Sequence, residues 1–440
     1  MELYRFRPTN RLIADRELED HYFFFAAPSQ LNDPLEGFVD LYWQGDAVAW
    51  LGLFSHCAFQ FFIVCKDFFL AKPIDEILEK SFSLHHRAFR NLPIYNVWKK
   101  FAQKVYDENS LQDIATRLSK KKVSESSLRF ILGSIHGIFM RLVLDEILAM
   151  KFDNNAFVKA FEVISKNKNI YLSEDFIAII SDQYQLDDMG YKHCRMENTL
   201  KLKGEYIIKK LNIKNNNMLF LCDYYPNVYV DKISRLIYPA DCCVCFNADF
   251  SNPSMWGHYA DDHKGACLIF NRELGPRNIL QVKYGERPPQ RNFFASLGLL
   301  TGPEQNDWFV SAHGDTSVAK VELAQNIDSW RNQYWTDNQA RLSRKGSAWI
   351  AENEYRIILN EESEISPNSS ARKQTYDFKF LCGIIFGIRT PLDQKIMILE
   401  ILKKKCEENC INKFNIYQAK YDQSFDRIER DLLMTLPIGK

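Results

Sequence analysis

Segments with strand-like patterning occupy both ends of this chain and nearly vanish between about residues 47 and 220, where apolar side chains recur at helical spacing. The first 45 residues read as strand, short helix, strand: ELYRFRP, TNRLIADRELED and HYFFFAAPS, closed by the turn-rich LNDPLEG. After residue 220 short β segments return as LFLCDYY, CCVCF, GACLIF, ILQVKYG, EYRIIL, FKFLCGIIFG and FNIYQAKY. Strand material at the two ends needs a common sheet to bury its apolar faces, so the ends are expected to fold together around the middle. The expected class is α+β, with a mixed or antiparallel β core built from residues 1–46 and 220–440 and a large all-helical insertion over 47–219. At 440 residues the chain exceeds what one hydrophobic core usually serves, which agrees with two domains.

Within the helical middle, AVAWLGLFSHCAFQFFIVC (residues 47–65) carries no acidic or basic side chain and approaches the length of a bilayer span. Ser55, His56 and Gln60 interrupt its apolar surface and no second span follows, so a buried helix or a partner-binding surface is expected and no membrane association. The 56 basic and 56 acidic side chains cancel, leaving no global field to draw the protein onto nucleic acid or an anionic surface. Eleven cysteines, an odd number, and a start without a signal-peptide core point to reduced thiols and a cytoplasmic location. Cys242, Cys243 and Cys245 lie in the apolar run CCVCF, where alternation along a strand keeps a zinc set from converging and a core role is expected.

Four polar clusters stand out against the apolar β framework: Arg5 and Arg7; Asn32 and Asp33; Trp256, His258, Tyr259, Asp261, Asp262 and His263; and Glu352, Glu354 and Arg356. On strands, Arg5 and Arg7 share a face, and Glu352, Glu354 and Arg356 share another. Two partly desolvated carboxylates can stabilise a cation developing in a transition state. Two guanidinium groups can hold a pyrophosphate through paired donors. Together they are the parts needed to bind a dinucleotide and assist departure of a cationic leaving group. The alternative is that Arg5 or Arg7 simply pairs with Glu352 or Glu354 across the sheet.

His258 and His263 are five apart and do not share a helix face, so no metal is expected, and Trp256 and Tyr259, three apart, form an aromatic wall or a structural corner instead. Walker, dinucleotide-fold glycine, nucleophile-elbow and zinc-finger motifs are absent from the sequence. Cys267 sits in ACLIF, which argues for burial over nucleophilic use.

The segments LYRFR, YFFFAAPSQLNDPLEG, CFNADFSNPSMWGHYADDHKGACLIF, VKY (282–284), WIAENEYRIIL and IIFGIRT (384–390) together resemble a bacterial domain-of-unknown-function family numbered 2971. The layout of that family in turn resembles the ADP-ribosyltransferase fold, a split β structure that holds NAD. The resemblance implies Arg5, with Arg7 as the alternative, contacting the cofactor, Tyr259 or Trp256 lining a nicotinamide pocket, and Glu354 against the reacting ribose with Glu352 beside it. It gives Asn32 and Asp33 no fixed role, although they and His258 are carried as candidate binding residues, and a Ser-Thr-Ser strand is missing. The expectation is an NAD-consuming transferase acting on a protein or nucleic-acid acceptor, and the family likeness hints at a toxin or antiphage effector. Two alternatives stay open: a non-enzymatic module that binds a protein partner through the helical insertion, and a metal-dependent nuclease using Asp33, Asp261, Asp262 and Glu354. Oligomeric state is open as well.

Overall fold

The computed structural model describes residues 1–70, 82–84, 93–150, 156–167, 173–210, 219–238, 241–275, 278–359 and 370–436. The polar stretch EESEISPNSS (361–370), whose composition suggests a loop, lies almost wholly outside these residues. The chain divides into two compact units, one formed by Met1–Val39, Tyr238–Pro289 and Thr336–Lys440, the other by Asp40–Ile237 and Gln290–Trp335. The boundaries expected at residues 46 and 220 therefore fall earlier and later than placed, and residues 290–335, expected with the sheet, pack with the helices.

The first unit is built on eight strands: β1 (Glu2–Arg7), β2 (Cys242–Asn247), β3 (Ala266–Asn271), β4 (Leu280–Gln281), β5 (Glu354–Leu359), β6 (Leu381–Phe386), β7 (Phe414–Asp422) and β8 (Arg427–Leu436). Their order is β8-β7-β6-β3-β1-β2-β5-β4, with β6 and β7 parallel and the remaining neighbours antiparallel, a mixed sheet in an α+β unit. The N-terminal strand thus lies at the centre, between strands from the later part of the chain, which is why neither end can complete the sheet alone.

Both faces of the central strands are covered. Leu3, Val244, Leu268, Phe270 and Ile384 face a cluster completed by Ile398, Leu402 and Cys406 of the helix Leu392–Glu408. Tyr4, Phe6, Ile269 and Ile385 face Met255 and Trp256 of the short helix Pro253–Tyr259. Trp256 meets Phe6 edge-on at 5.1 Å between ring centroids, and its indole N–H donates to the Phe250 carbonyl at 2.7 Å, so its polar edge is satisfied inside the core.

Asn252 caps the Pro253–Tyr259 helix by accepting from the Ser254 N–H at 2.9 Å, with Pro253 at the first helical position. The chain then reverses through Asp261, Asp262 and His263, all at positive φ, and Gly265 N–H donates to Ala260 O at 2.7 Å. A Cβ on Gly265 would stand 2.3 Å from the Arg7 carbonyl oxygen, so only glycine lets this corner lie against β1.

The second unit is helical around Ala47–Phe69 and Glu125–Ala149, but it is not all-helical: Val123–Ser124, Asp40–Trp43 and Gln290–Asn292 form a small three-stranded sheet. Ala47–Phe69, capped by Asp46, contains the uncharged stretch noted above, and 94% of its most apolar window is buried within the protein. Glu125–Ala149 is the other described helix long and apolar enough to cross a bilayer, with 67% of its window buried. The apolar character of Ala47–Phe69 is accounted for by core packing, and it offers no open docking surface. Gly52 marks its closest approach to Gly302–Phe309, where a Cβ would stand 2.0 Å from the Trp308 carbonyl oxygen.

Candidate functional site

β1 and β2 share one registered pair, Tyr4 with Asn247. Beyond it Cys243 exchanges two backbone hydrogen bonds of 2.8 Å with Ala26 instead of with β1. The segment around Ala26 therefore takes the place of a continuous ladder, and a cleft of about 840 Å³ opens within the sheet unit beside Arg5, Arg7, Cys243 and Cys245. That volume lies within the range of small-molecule and cofactor pockets.

One group of side chains in the cleft is cationic. Arg5 and Arg7 leave β1 on the same side and share Glu17, which follows the short helix Thr9–Ile13: Arg7 Nε donates to Glu17 at 2.9 Å, and Arg5 Nη2 stands 3.6 Å from its other oxygen. Arg5 is 7% exposed, lies over the Phe23 ring at 5.2 Å, and its buried Nη1 has no hydrogen-bond partner among the described residues. An unpaired guanidinium nitrogen withdrawn from water is costly, so an acceptor brought to this atom would be favoured. Burial, reinforced by neighbouring Arg7, lowers the Arg5 pKa to about 10, which leaves it charged at neutral pH. Arg11 and Lys373 also line the cleft, so four cations there face the carboxylates of Glu17 and Asp15.

The other group is built around Lys345. Its ammonium lies 2.5 Å from Glu352, 3.1 Å from Glu36, 3.5 Å from Glu354 and 2.9 Å from the Asn32 side-chain oxygen, over the Trp349 ring. Glu354 opens β5 and accepts a two-pronged bond from Arg356, Nε and Nη2 each at 2.9 Å. Arg356 also pairs with Glu36 and donates to the Leu342 carbonyl at 2.7 Å. Glu352 accepts from the Tyr259 hydroxyl at 2.6 Å and from Asn32 Nδ2 at 3.2 Å. Glu352 and Glu354 converge on Lys345 although they do not share a strand: Glu352 ends a 3₁₀ turn and Asn353, at φ 44°, turns the chain left-handed before β5 begins. The common face expected from strand alternation is produced by that turn instead.

Three carboxylates here face two cations, one negative charge in excess, and nearly all are withdrawn from water. Burial pushes the Glu36 carboxyl above its ordinary range despite Arg356 and Lys345. Burial pushes Glu354 the same way, but Arg356 and Lys345 outweigh it and hold that carboxyl below the ordinary range. Lys345 is disfavoured by burial yet held above its ordinary pKa by Glu354, Glu36 and Glu352. Tyr259 is raised by burial and by its bond to Glu352, so it keeps its proton and remains a donor. Cys245, opposite Arg356 in register, feels both Arg5 and Glu354 and so links the two groups.

Of the residues singled out in the sequence, Arg5, Arg7, Asn32, Tyr259, Glu352 and Glu354 line this one cleft. Arg5 and Arg7 pair with Glu17 and not with the carboxylates of the other group. Three of the candidate binding residues lie elsewhere. Trp256 is fully buried in the core, because its ring packs on Phe6. His258 is exposed and is not among the lining residues. Asp33 holds a turn, accepting from the Leu35 N–H at 2.9 Å and the Gly346 N–H at 3.3 Å. Cys242 is in the core as expected, whereas Cys243 and Cys245 point to the opposite face and line the cleft. Glu17, Glu36 and Lys345 carried no signal in the sequence: each sits in an ordinary charged turn or short segment, and only tertiary pairing makes it part of the site.

No curated protein and no solved structure matches the chain. Residues 255–357, from the Trp256 helix through β5 and the Glu352–Glu354 turn, match the family described as protein of unknown function (DUF2971).

Proposed function

We propose that the cleft binds NAD and that the protein is an NAD-consuming transferase of the ADP-ribosyltransferase type. The observation that supports this most is the charge division of the cleft. A cation-rich group with an unpartnered Arg5 nitrogen suits a pyrophosphate, and a buried group with one carboxylate in excess suits a cationic ring. NAD carries both charges on one molecule.

The reaction breaks the bond between ribose C1′ and the nicotinamide nitrogen, whose electron pair stays with nitrogen and discharges the pyridinium. Positive charge then develops at C1′, where a fixed carboxylate stabilises it more than it stabilises the ground state. A lone pair from an acceptor, or from water, forms the new bond to C1′, and the acceptor's proton passes to a carboxylate and on to solvent. Arg5 and Arg7 anchor the phosphates, and Tyr259, beside Glu352, borders the ring. The single registered pair between β1 and β2 supports a split β reading of this unit.

Two rival readings find less support. The apolar helix proposed as a partner surface is buried, and Asp33, Asp261 and Asp262, proposed as nuclease ligands with Glu354, do not line the cleft. The test is release of free nicotinamide from NAD by the purified chain, with ADP-ribose as a competitor. The reading predicts turnover in the wild type that Arg5→Gln weakens through KM. Absence of both turnover and any NAD-induced rise in melting temperature would refute it.

A further inference from the structure

Glu352 and Glu354 stand side by side but are held in different ways. Both Glu354 oxygens are taken by the Arg356 fork at 2.9 Å, one of them also faces Lys345 at 3.5 Å, and its backbone N–H donates to the Tyr284 hydroxyl at 2.7 Å. Turning Glu354 toward a ligand would strip a buried, 1% exposed guanidinium of its principal partner. Glu352 is anchored from behind by Lys345 on one oxygen alone. Its other oxygen accepts from Tyr259, which is half-buried, and from Asn32, which is exposed. Those two donors are more open to solvent than Lys345 and Arg356, and they also bond to each other. Ribose hydroxyls can replace them donor for donor without leaving any buried charge unpaired.

Building on the NAD reading above, we infer that Glu352 is the carboxylate that touches the ribosyl ligand, and that Glu354 is a positioning residue acting through Lys345. Glu354 and Arg356 form a rigid base that, together with Glu36, fixes the ammonium, and the ammonium fixes Glu352. Tyr259 and Asn32 hold Glu352 in the free protein and yield to the ligand.

The experiment compares Glu352→Gln, Glu354→Gln and Tyr259→Phe for kcat, KM and melting temperature, with ADP-ribose binding measured alongside. Glu352→Gln is expected to lower kcat by about 10²-fold or more with a melting temperature near that of the wild type. Glu354→Gln is expected to lose less than about tenfold in kcat and to melt at lower temperature, and Tyr259→Phe to change KM more than kcat. The inference is overturned if Glu354→Gln loses kcat as severely as Glu352→Gln while melting normally, or if Glu352→Gln retains wild-type kcat. If the wild type binds ADP-ribose but never releases nicotinamide, the NAD-consuming reading fails. The assignment of Glu352 then stands or falls on whether Glu352→Gln weakens ADP-ribose binding more than Glu354→Gln does.

Discussion

Arg356→Leu isolates the contribution of the buried ion cluster. Arg356 supplies two bonds of 2.9 Å to Glu354, an ion pair to Glu36 and a bond of 2.7 Å to the Leu342 carbonyl, all at 1% exposure. Leucine keeps much of the volume but leaves three buried carboxylates facing one lysine. Removing one partner of a buried pair costs about 3–5 kcal/mol, and for a unit of this size each kcal/mol lowers Tm by about 2–4 °C, so a drop on the order of 6–20 °C is expected. In the wild type Glu354 is held below its ordinary pKa, so its stabilisation is present above that pKa and is lost as pH falls through the lowered value. In the variant the orphaned carboxyl has its folded pKa raised, so stability is retained at low pH and lost as pH rises. The difference between the two proteins should therefore be largest near neutrality and shrink toward pH 4. Scanning calorimetry across pH measures it. The double variant Arg356→Leu/Glu354→Leu should recover part of the loss, because it removes both charges. A cost below about 1 kcal/mol at neutral pH, or a double variant as destabilised as two independent losses, would refute the reasoning.

Further outcomes follow from single contacts. Glu36 is raised by burial, so the stability it confers is full below the ordinary carboxylate pKa and is lost as pH rises through its own. Glu36→Gln should gain on the wild type between about pH 4.5 and neutrality in urea titrations, and a constant difference across that range would disprove this. Gly52→Ala drives a methyl group toward the Trp308 carbonyl and should cost about 1–3 kcal/mol, visible in thermal unfolding; an unchanged transition contradicts the close approach. Cys410 alone among the eleven cysteines is exposed, so a native thiol assay should show one fast group that Cys410→Ser removes, and persistence of that phase sinks the assignment.

The sheet unit was legible where local pattern and tertiary role coincide. Alternation in LYRFR and the apolar run GACLIF identified β1 and β3, and the β-type segments at both chain ends implied one shared sheet. The polar stretch EQNDWFVSAHGDTS (304–317) suggests a loop by composition, yet its first residues belong to the helix Gly302–Phe309, whose Thr301–Glu304 capping box and buried Trp308 tie it to the helical unit. Its polar composition concealed one buried face. Candidate site residues on strands or at turns, Arg5, Arg7, Asn32, Glu352 and Glu354, share a cleft because unpaired polarity in an apolar framework is costly unless something uses it. Trp256 and His258 were drawn in by proximity to Tyr259, but a seven-residue helix sends its side chains in different directions. Lys345 was invisible because its meaning lies in three carboxylates, one of them, Glu36, from a distant stretch of chain.

The sharpest measurement is calorimetric binding of NAD against NADH. The two share the pyrophosphate and both riboses and differ in the charge of one ring. If the carboxylate group around Lys345 faces that ring, the oxidised form should bind at least about tenfold tighter, about 1.4 kcal/mol, and Glu352→Gln should narrow the gap. Equal or tighter binding of NADH, or binding of neither, would contradict the account.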